Sequence, residues 1–523
     1  MEGVIEVRGG RVRGVHRHDH WSFSGIPYAG SAAGPARFRP PSRPDPWSGV
    51  RPTDRFGPIA PQNPSLIDAS LGGRPEPQSE DCLSLNIWTA GLDGGRRPVM
   101  VWVHGGSFVW GSGSGGLYRG GTLAREGGVV VVTLNYRLGL LGFLAHPALA
   151  EADRSWLDDE DWTGFGNWGL ADQVAALQWV RDHIAEFGGD PANVTLFGES
   201  AGAMSVVALL AAPAARGLFH RAIVESGGPY AYTSDEAASV AEQLAGQLGV
   251  PMTRQAFEQV PTADLVRAVF EFDQNGGRRP DNGLLMMPVV DGGVLPVAPE
   301  LAVAAGSAAD VPLLIGTTRD EMAFFTLGDP TLSALDHDGL RHWMGRLTTD
   351  PESQTAIVAA VTEARRSRGE PVTPRDLWVA IATEYIFRLP SVRLADAHRA
   401  AARPGVGTYA YLFTWTSPML DGYLGSCHAL EIPFVFGTVQ NPLVQGFSGG
   451  GPDALALSAA MRGAWTAFAR TGRPGTWPEW DPGLRPTEVL GPWPGRTGLV
   501  HRVDGPRSEE LAAVAALVPA PGE

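Results

Sequence analysis

A chain of 523 residues, 44% hydrophobic and 19% charged, can bury one large core or several ordinary ones, and apolar runs such as Val129–Leu134 fall well short of a bilayer span. All 41 basic residues are arginine, so imine-forming, P-loop, kinase and Ser-Lys chemistries have no lysine to work with; the absence itself reads as codon bias. A net charge of −15, with Arg278-Arg279 and Arg365-Arg366 as isolated basic pairs, argues against nucleic acid as a partner.

The amino terminus, MEGVIEVRGGRVRGV, shows no apolar stretch after its basic residues, so no secretory signal is expected and a cytoplasmic location is. His16, His18 and His20 alternate; on a strand they would share one face, but a solvated hairpin is the expected reading and no metal or cofactor is assigned. Cys82 and Cys427 are the only cysteines, and a chain of this size needs no disulfide, so free thiols are expected. Short β-branched runs predict strands at Val99–Val103, Val129–Leu134, Val194–Phe197, Arg221–Val224, Val311–Ile315 and Thr408–Phe413. Between the second and third, Leu170, Val174, Leu177, Val180, Ile184 and Phe187 recur at helical spacing, and Gly188-Gly189 follows as a stop, which makes a βαβ crossover. Residues 231–310 and 327–400 read as helical insertions. The alternation implies a mostly parallel α/β sheet, one domain over residues 1–523, and a frayed tail over residues 512–523.

Chemistry concentrates at strand ends, where loops on a rigid sheet carry function. Gly198-Glu199-Ser200-Ala201-Gly202 follows the strand ending at Phe197 and precedes a helical run from Ala203 to Leu210. This is the pattern of a nucleophile elbow, in which the turn exposes the serine and flanking glycines relieve clashes. His104-Gly105-Gly106-Ser107-Phe108 follows the strand ending at Val103; the N–H groups of Gly105, Gly106 and Ala201 can form an oxyanion hole. A triad then requires an acid and a histidine downstream. After the strand ending at Ile315 come Asp320 and Glu321, and spacing alone allows either to be the acid. His428, in GSCHALE, is the best-placed base. Glu199 can tune the local field or meet a substrate cation, and Phe108, Trp110, Phe324 and Phe325 are candidates for the substrate pocket.

Across roughly residues 20–500 the chain resembles the type-B carboxylesterases, the family of bacterial para-nitrobenzyl esterases and animal cholinesterases. The matching segments are FSGIPYA, EDCL, HGGSF, NYR, GNWGL, FGGDPANVTLFGESAG, MPVVDGGVLP, VPLLIGTTRDE and FARTGRP. The resemblance implies the α/β-hydrolase fold with large helical insertions, and a triad of Ser200, Glu321 and His428 with Asp320 as a neighbour. It also implies that Ser226 supports the acid. Family members with disulfides pair the EDCL cysteine with one in a preceding segment, but Gly57–Gln62 has none, so Cys82 is expected to be unpaired. A buried, inert Cys427 is expected beside a serine that already fills the nucleophile's role. The expected function is a serine carboxylesterase hydrolysing small to medium uncharged carboxylic esters through an acyl-enzyme, as a monomer or homo-oligomer, without nucleic acid, membrane or cofactor. Carbamates, thioesters or amides are alternative substrates, and a non-catalytic binding or adhesion protein of the same fold is the alternative of another class.

Overall fold

The computed structural model describes residues 3–17, 19–64, 76–150, 153–154, 161–162, 164–272, 274–278, 284–327 and 329–517. The β-branched runs join a single eleven-stranded sheet. Its strands in chain order are β1 (Val15–Arg17), β2 (His20–Pro27), β3 (Ser84–Thr89), β4 (Arg97–Val103), β5 (Val130–Leu134), β6 (Gly189–Glu199), β7 (Arg221–Glu225), β8 (Leu313–Thr318), β9 (Thr408–Phe413), β10 (Pro486–Leu490) and β11 (Val500–Asp504). Across the sheet they lie β11-β10-β9-β8-β7-β6-β4-β5-β3-β2-β1. Strands β4 to β10 run parallel, and antiparallel strands complete both sides. Strand β5, VVVTL, is buried throughout, as expected where a parallel sheet is covered on both faces. A small three-stranded sheet from Val4–Val7, Gly10–Arg13 and Val50–Pro52 stands apart.

The strand predicted at Val194–Phe197 extends to Gly189–Glu199, and at another strand polar residues continue a buried ladder. The run predicted at Val311–Ile315 is found at Leu313–Thr318, because Gly316, Thr317 and Thr318 still pair with Tyr411, Leu412 and Phe413 of β9. Strands β1–β3, β10 and β11 gave no sequence signal; partner strands recruit them, and β11 alternates with most residues outward. β1 and β2 form a hairpin in which His16 opposes Trp21, with ring centroids 4.8 Å apart; His18 lies outside the described residues.

Helix α1 (Trp168–His183) follows the predicted periodicity, passes into a 3-10 turn at Ile184–Phe187 and stops at Gly188, which has a φ of 79°. Helix α2 (Ala201–Ala211) follows β6 directly. The two insertions are helical as read, and the second ends in α3 (Pro374–Thr383) and α4 (Leu389–Ala401), joined through a π-helical turn at Glu384–Arg388. Helix α5 (Pro452–Thr471) packs on the middle of the sheet, where Trp465 Nε1–H donates to Glu225 of β7 at 2.8 Å and its ring lies 5.2 Å from that of Tyr411 of β9. The expected frayed tail requires correction: α6 (Ser508–Ala515) continues through Ala512. Its Leu511 and Val514 are buried, and buried Arg507 binds Glu510, so burial and an ion pair hold a segment whose Ala/Pro content suggested fraying; residues 518–523 lie outside the described residues. Among the described residues no helix is long and apolar enough to cross a membrane.

Helix α1 is locked to the chain after β5 by a buried ion pair. Arg137 gives Asp172 its backbone N–H at 3.0 Å, Nε at 2.8 Å and Nη2 at 2.7 Å. Asp172→Asn leaves the guanidinium buried without its counter-charge, so urea unfolding is expected to show a loss of ~3–5 kcal/mol. The exposed pair Asp310–Arg403, 2.8 Å apart, serves as the control, since Asp310→Asn should change stability by less than ~1 kcal/mol. Equal losses would mean that the buried pair adds nothing beyond a surface contact.

Candidate active site

Strand β6 ends at Glu199 and α2 begins at Ala201, so Ser200 makes the turn alone, at φ 57° and ψ −124°. A non-glycine residue held there costs of order 1–3 kcal/mol and persists only under strong local constraint. The constraint is visible: Ser200 donates its N–H to Glu225 O at 2.9 Å and accepts from Met204 N at 2.9 Å. A β-carbon on Gly202 would lie 2.0 Å from Val103 O, so only glycine lets α2 cross the end of β4 this closely.

The loop after β4 stands against the serine. A β-carbon on Gly105 would sit 3.0 Å from Ser200 Cβ, and one on Gly106, whose φ is 115°, would sit 2.0 Å from Trp110 O. Tyr136 OH donates to His104 O at 2.8 Å, and the Gln62 amide exchanges two hydrogen bonds with the Gly111 backbone at 2.8 and 2.9 Å. Burial pushes His104 down to about 4, leaving it neutral at physiological pH. Ala201 is the first residue of α2, so its N–H has no acceptor within the helix.

The two adjacent carboxylates after β8 divide their work. Glu321 Oε2 lies 2.6 Å from His428 Nδ1, while Oε1 accepts the Thr318 N–H at 2.7 Å. Asp320 faces the stretch before the histidine. It accepts Ser426 N–H at 2.8 Å and Arg319 Nε–H at 2.9 Å, and its own N–H donates to Ser426 O at 2.8 Å. Burial works against that charge, but Arg319 and Arg507 hold the Asp320 carboxyl below its usual range.

The other nitrogen of His428, Nε2, lies 3.0 Å from Glu199 Oε1, and no hydrogen bond joins the ring to Ser200 Oγ. Burial alone would lower the imidazole's pKa, but Glu199 and Glu321 on its two sides outweigh it and hold the ring well above its ordinary value. Burial raises Glu199, and the nearby Glu321 adds to this against the pull of His428. Deeper in, burial pushes Glu225 up to about 8 although Trp465 Nε1–H donates to it at 2.8 Å. Burial and its carboxylate neighbours push Glu431 well up. Burial and the like charges nearby both favour the protonated form of Glu225 and Glu431 over the charged one. Ser226, with a φ of 52°, donates its Oγ–H to Glu431 Oε1 at 3.1 Å, and Glu431 in turn lies within the electrostatic reach of Glu321.

Ser200, His428, Gly105 and Gly106 face one cavity with room for water-sized groups over 520 Å³; Trp110, Phe324 and Phe325 line it. Phe108 does not. It is fully buried, and its ring packs 4.8 Å from Phe143, because a φ of 61° turns it into the core. Phe387 was missed: its ring lies 5.0 Å from that of His428, beside Phe325 at 5.1 Å. The signal was Pro390. Its missing N–H leaves Ile386 O without the bond four residues on, that carbonyl accepts Tyr230 OH at 2.7 Å instead, and the helix widens into the π turn that carries Phe387. Cys82 and Cys427 are free and buried, and burial raises both thiols, so each stays protonated. Among the described residues no group of three His, Cys, Asp or Glu is arranged to hold a metal ion.

A strained serine delivered to a cavity by the middle of a mostly parallel sheet places the molecule among the α/β-hydrolases. The profile of the carboxylesterase family matches residues 1–495, and the chain belongs to that family. It is 37% identical over 503 residues to the para-nitrobenzyl esterase of Bacillus subtilis (strain 168), covering 93% of this chain and 94% of that protein. With the phenmedipham hydrolase of Pseudarthrobacter oxydans it shares 35% identity over 485 residues, 90% of each chain. The crystal structure of a Geobacillus stearothermophilus carboxylesterase superimposes with a TM-score of 0.81 at 38% identity, covering 98% of this chain and 99% of that one.

Were the His428 ring to serve as a base it would have to be neutral, and the two carboxylates that favour its protonated form would then set the acid limb of activity. We expect kcat/KM for a nitrophenyl ester to fall as pH drops through a value above about 6.5. Glu199→Gln removes one of the two carboxylates and should move that limb to lower pH, as read from pH–rate profiles of both proteins. A limb that stays in place would show that Glu199 does not act on the ring.

Proposed function

We propose that Ser200 is the nucleophile, His428 the general base and Glu321 its orienting acid, with the N–H groups of Gly105, Gly106 and Ala201 as the oxyanion hole. The observation that carries this reading is the 2.6 Å contact between Glu321 and His428, made over a cavity that also holds the elbow serine. The protein is a serine carboxylesterase, and its substrates are proposed to be small to medium uncharged carboxylic esters. The aromatic lining of the cavity suits an apolar acyl or alcohol group, and the buried Glu199 disfavours an anionic one near the reacting centre.

In the acylation step the ring leaves Glu199 Oε1 for Ser200 Oγ while keeping its bond to Glu321. His428 Nε2 takes the hydroxyl proton as Oγ attacks the ester carbonyl carbon, and negative charge gathers on the carbonyl oxygen, facing the three N–H groups. The tetrahedral intermediate collapses as the imidazolium returns the proton to the departing alkoxide, leaving an acyl-serine. Water, deprotonated by the same nitrogen, then releases the acid. Glu321 fixes the tautomer with Nδ1 protonated and stabilises the cation between the two transfers. Carbamates, thioesters and amides would enter by the same first step. The binding-protein reading is not favoured, since Ser200, Glu321 and His428 are all present. One catalytic domain over residues 1–523 is proposed, on the ground that one sheet runs from β1 to β11, and a reducing cytoplasmic setting is proposed on the two buried, unpaired cysteines.

A fluorophosphonate is expected to label Ser200 alone, as read by peptide mapping; labelling elsewhere, or none in folded protein, would sink the assignment. Glu321→Gln should lower kcat by ~10³ to 10⁴-fold through loss of the correct tautomer and of imidazolium stabilisation. Asp320→Asn keeps an acceptor for Ser426 N–H, so kcat should fall by less than about ten-fold. With both variants shown native by circular dichroism, the reverse ranking would transfer the acid's role to Asp320.

A further inference from the structure

Two hollows meet at one wall. Arg119 and Asn441 line both the cavity over Ser200 and a neighbouring cleft with room for water-sized groups over 420 Å³. Arg119 is exposed, so small solutes reach its side chain. Its guanidinium lies over the ring of Phe56, with Cζ 4.1 Å from the centroid; that contact draws on its charge and occupies none of its N–H groups. Among the described residues no acceptor takes one of them. Asn441 accepts the Leu443 N–H on Oδ1 at 3.1 Å, which leaves its amide N–H groups as further donors in the same wall.

The charge around Arg119 is unbalanced. Glu76 also lines the Ser200 cavity, but its carboxylate accepts Ser112 Oγ–H at 3.1 Å and forms no ion pair with Arg119. In the second cleft Arg125 and Arg462 share the lining with a single carboxylate, Glu126, and already bind its two oxygens at 2.8 and 2.6 Å. Glu199 is engaged with His428. Part of Arg119 is exposed, yet enough protein surrounds it that burial lowers its pKa more than the pull of Glu76 raises it. The fold therefore brings less negative charge to this cation than it would accept, and a guanidinium so placed favours an added carboxylate.

We propose that Arg119 makes the enzyme selective for esters that carry a carboxylate at the far end of the acyl or the alcohol arm. The scissile carbonyl lies at Ser200 and the arm runs along the aromatic lining of the cavity. Its carboxylate meets the Arg119 guanidinium at the wall shared with the second cleft, which takes up any excess length. The reacting end stays uncharged, as the buried Glu199 requires. Water cleaves the acyl C–O bond as in any ester, so a half-ester of a dicarboxylic acid yields the dicarboxylate and an alcohol. The contact at Arg119 is the same before and during the reaction, so it lowers KM and leaves kcat alone. The inference rests on the esterase reading of Ser200 and narrows its substrates.

Methyl half-esters of the even dicarboxylic acids from succinate to sebacate test the acyl arm, and acetyl esters of ω-hydroxy acids of matching length test the alcohol arm. Each is paired with its neutral ω-amide, and hydrolysis is followed by pH-stat. At low ionic strength at least one length should show kcat/KM about five-fold higher for the carboxylate than for the amide, carried by KM. About 0.5 M salt should remove most of that preference. Arg119→Met keeps a stem over Phe56 and removes the charge; in this variant, shown native by circular dichroism, the acid-to-amide ratio should fall to about one or below. Arg403→Met removes an exposed charge before β9, at the opposite end of the strands from Ser200, and should keep the wild-type ratio. Equal kcat/KM for acid and amide at every length in both series, an unchanged ratio in Arg119→Met, or the same fall in Arg403→Met would overturn the proposal. Failure of the esterase reading shows differently: the amides would not be hydrolysed, or would still be hydrolysed after fluorophosphonate treatment.

Discussion

The close crossing of α2 over the end of β4 is the contact on which the site is built, because it leaves the backbone almost no freedom. A β-carbon on Gly202 would lie 2.0 Å from Val103 O, and one on Gly198 would lie 2.7 Å from the same oxygen. With both glycines in place the strand can turn straight into the helix, and the whole reversal falls on Ser200 at φ 57°. Strand β4 does double duty, for the residues after Val103 are the His104–Gly105–Gly106 loop that faces the serine. The parallel pairing of β4 with β6 thus brings Ser200 and this glycine loop to one end of the sheet.

Charge is the second constraint. His428 lies among buried carboxylates, with Glu199 and Glu321 in contact and Glu225 and Glu431 behind them. Low polarity strengthens each of these interactions, and it favours protons on the deeper members. The aromatic rings of Phe325 and Phe387 close over the imidazole and keep that polarity low. The second insertion therefore does more than cover the sheet: through the break at Pro390 it sends Phe387 toward the histidine.

The loops that hold Glu321 and His428 are tied to each other as well as to the sheet. Asp320 and Ser426 share two hydrogen bonds, which fasten the chain after β8 to the chain before His428. Arg507 extends this anchorage by pairing with Glu370 and Glu510, which joins α6 to the second insertion and accounts for the order of a segment with little hydrophobic signal.

Local covalent and steric demands were legible in the residues: the elbow around Ser200, the Gly105-Gly106 loop, the apolar central strands and the periodic α1 each follow from short-range rules that one segment satisfies by itself. Spacing could not separate Asp320 from Glu321, since adjacent carboxylates differ only in where a turn points them, and the resemblance to known esterases named Glu321 before the geometry set it against His428. What needed the tertiary structure was every feature decided by a distant partner. The edge strands form because neighbours pair with them, Phe108 is buried by the handedness of its own backbone, Ser226 serves Glu431 across 205 positions of chain, and Phe387 reaches the histidine only through a helix widened at Pro390. A sequence records what each residue can do locally, and these outcomes depend on which groups the fold brings within hydrogen-bonding or van der Waals distance.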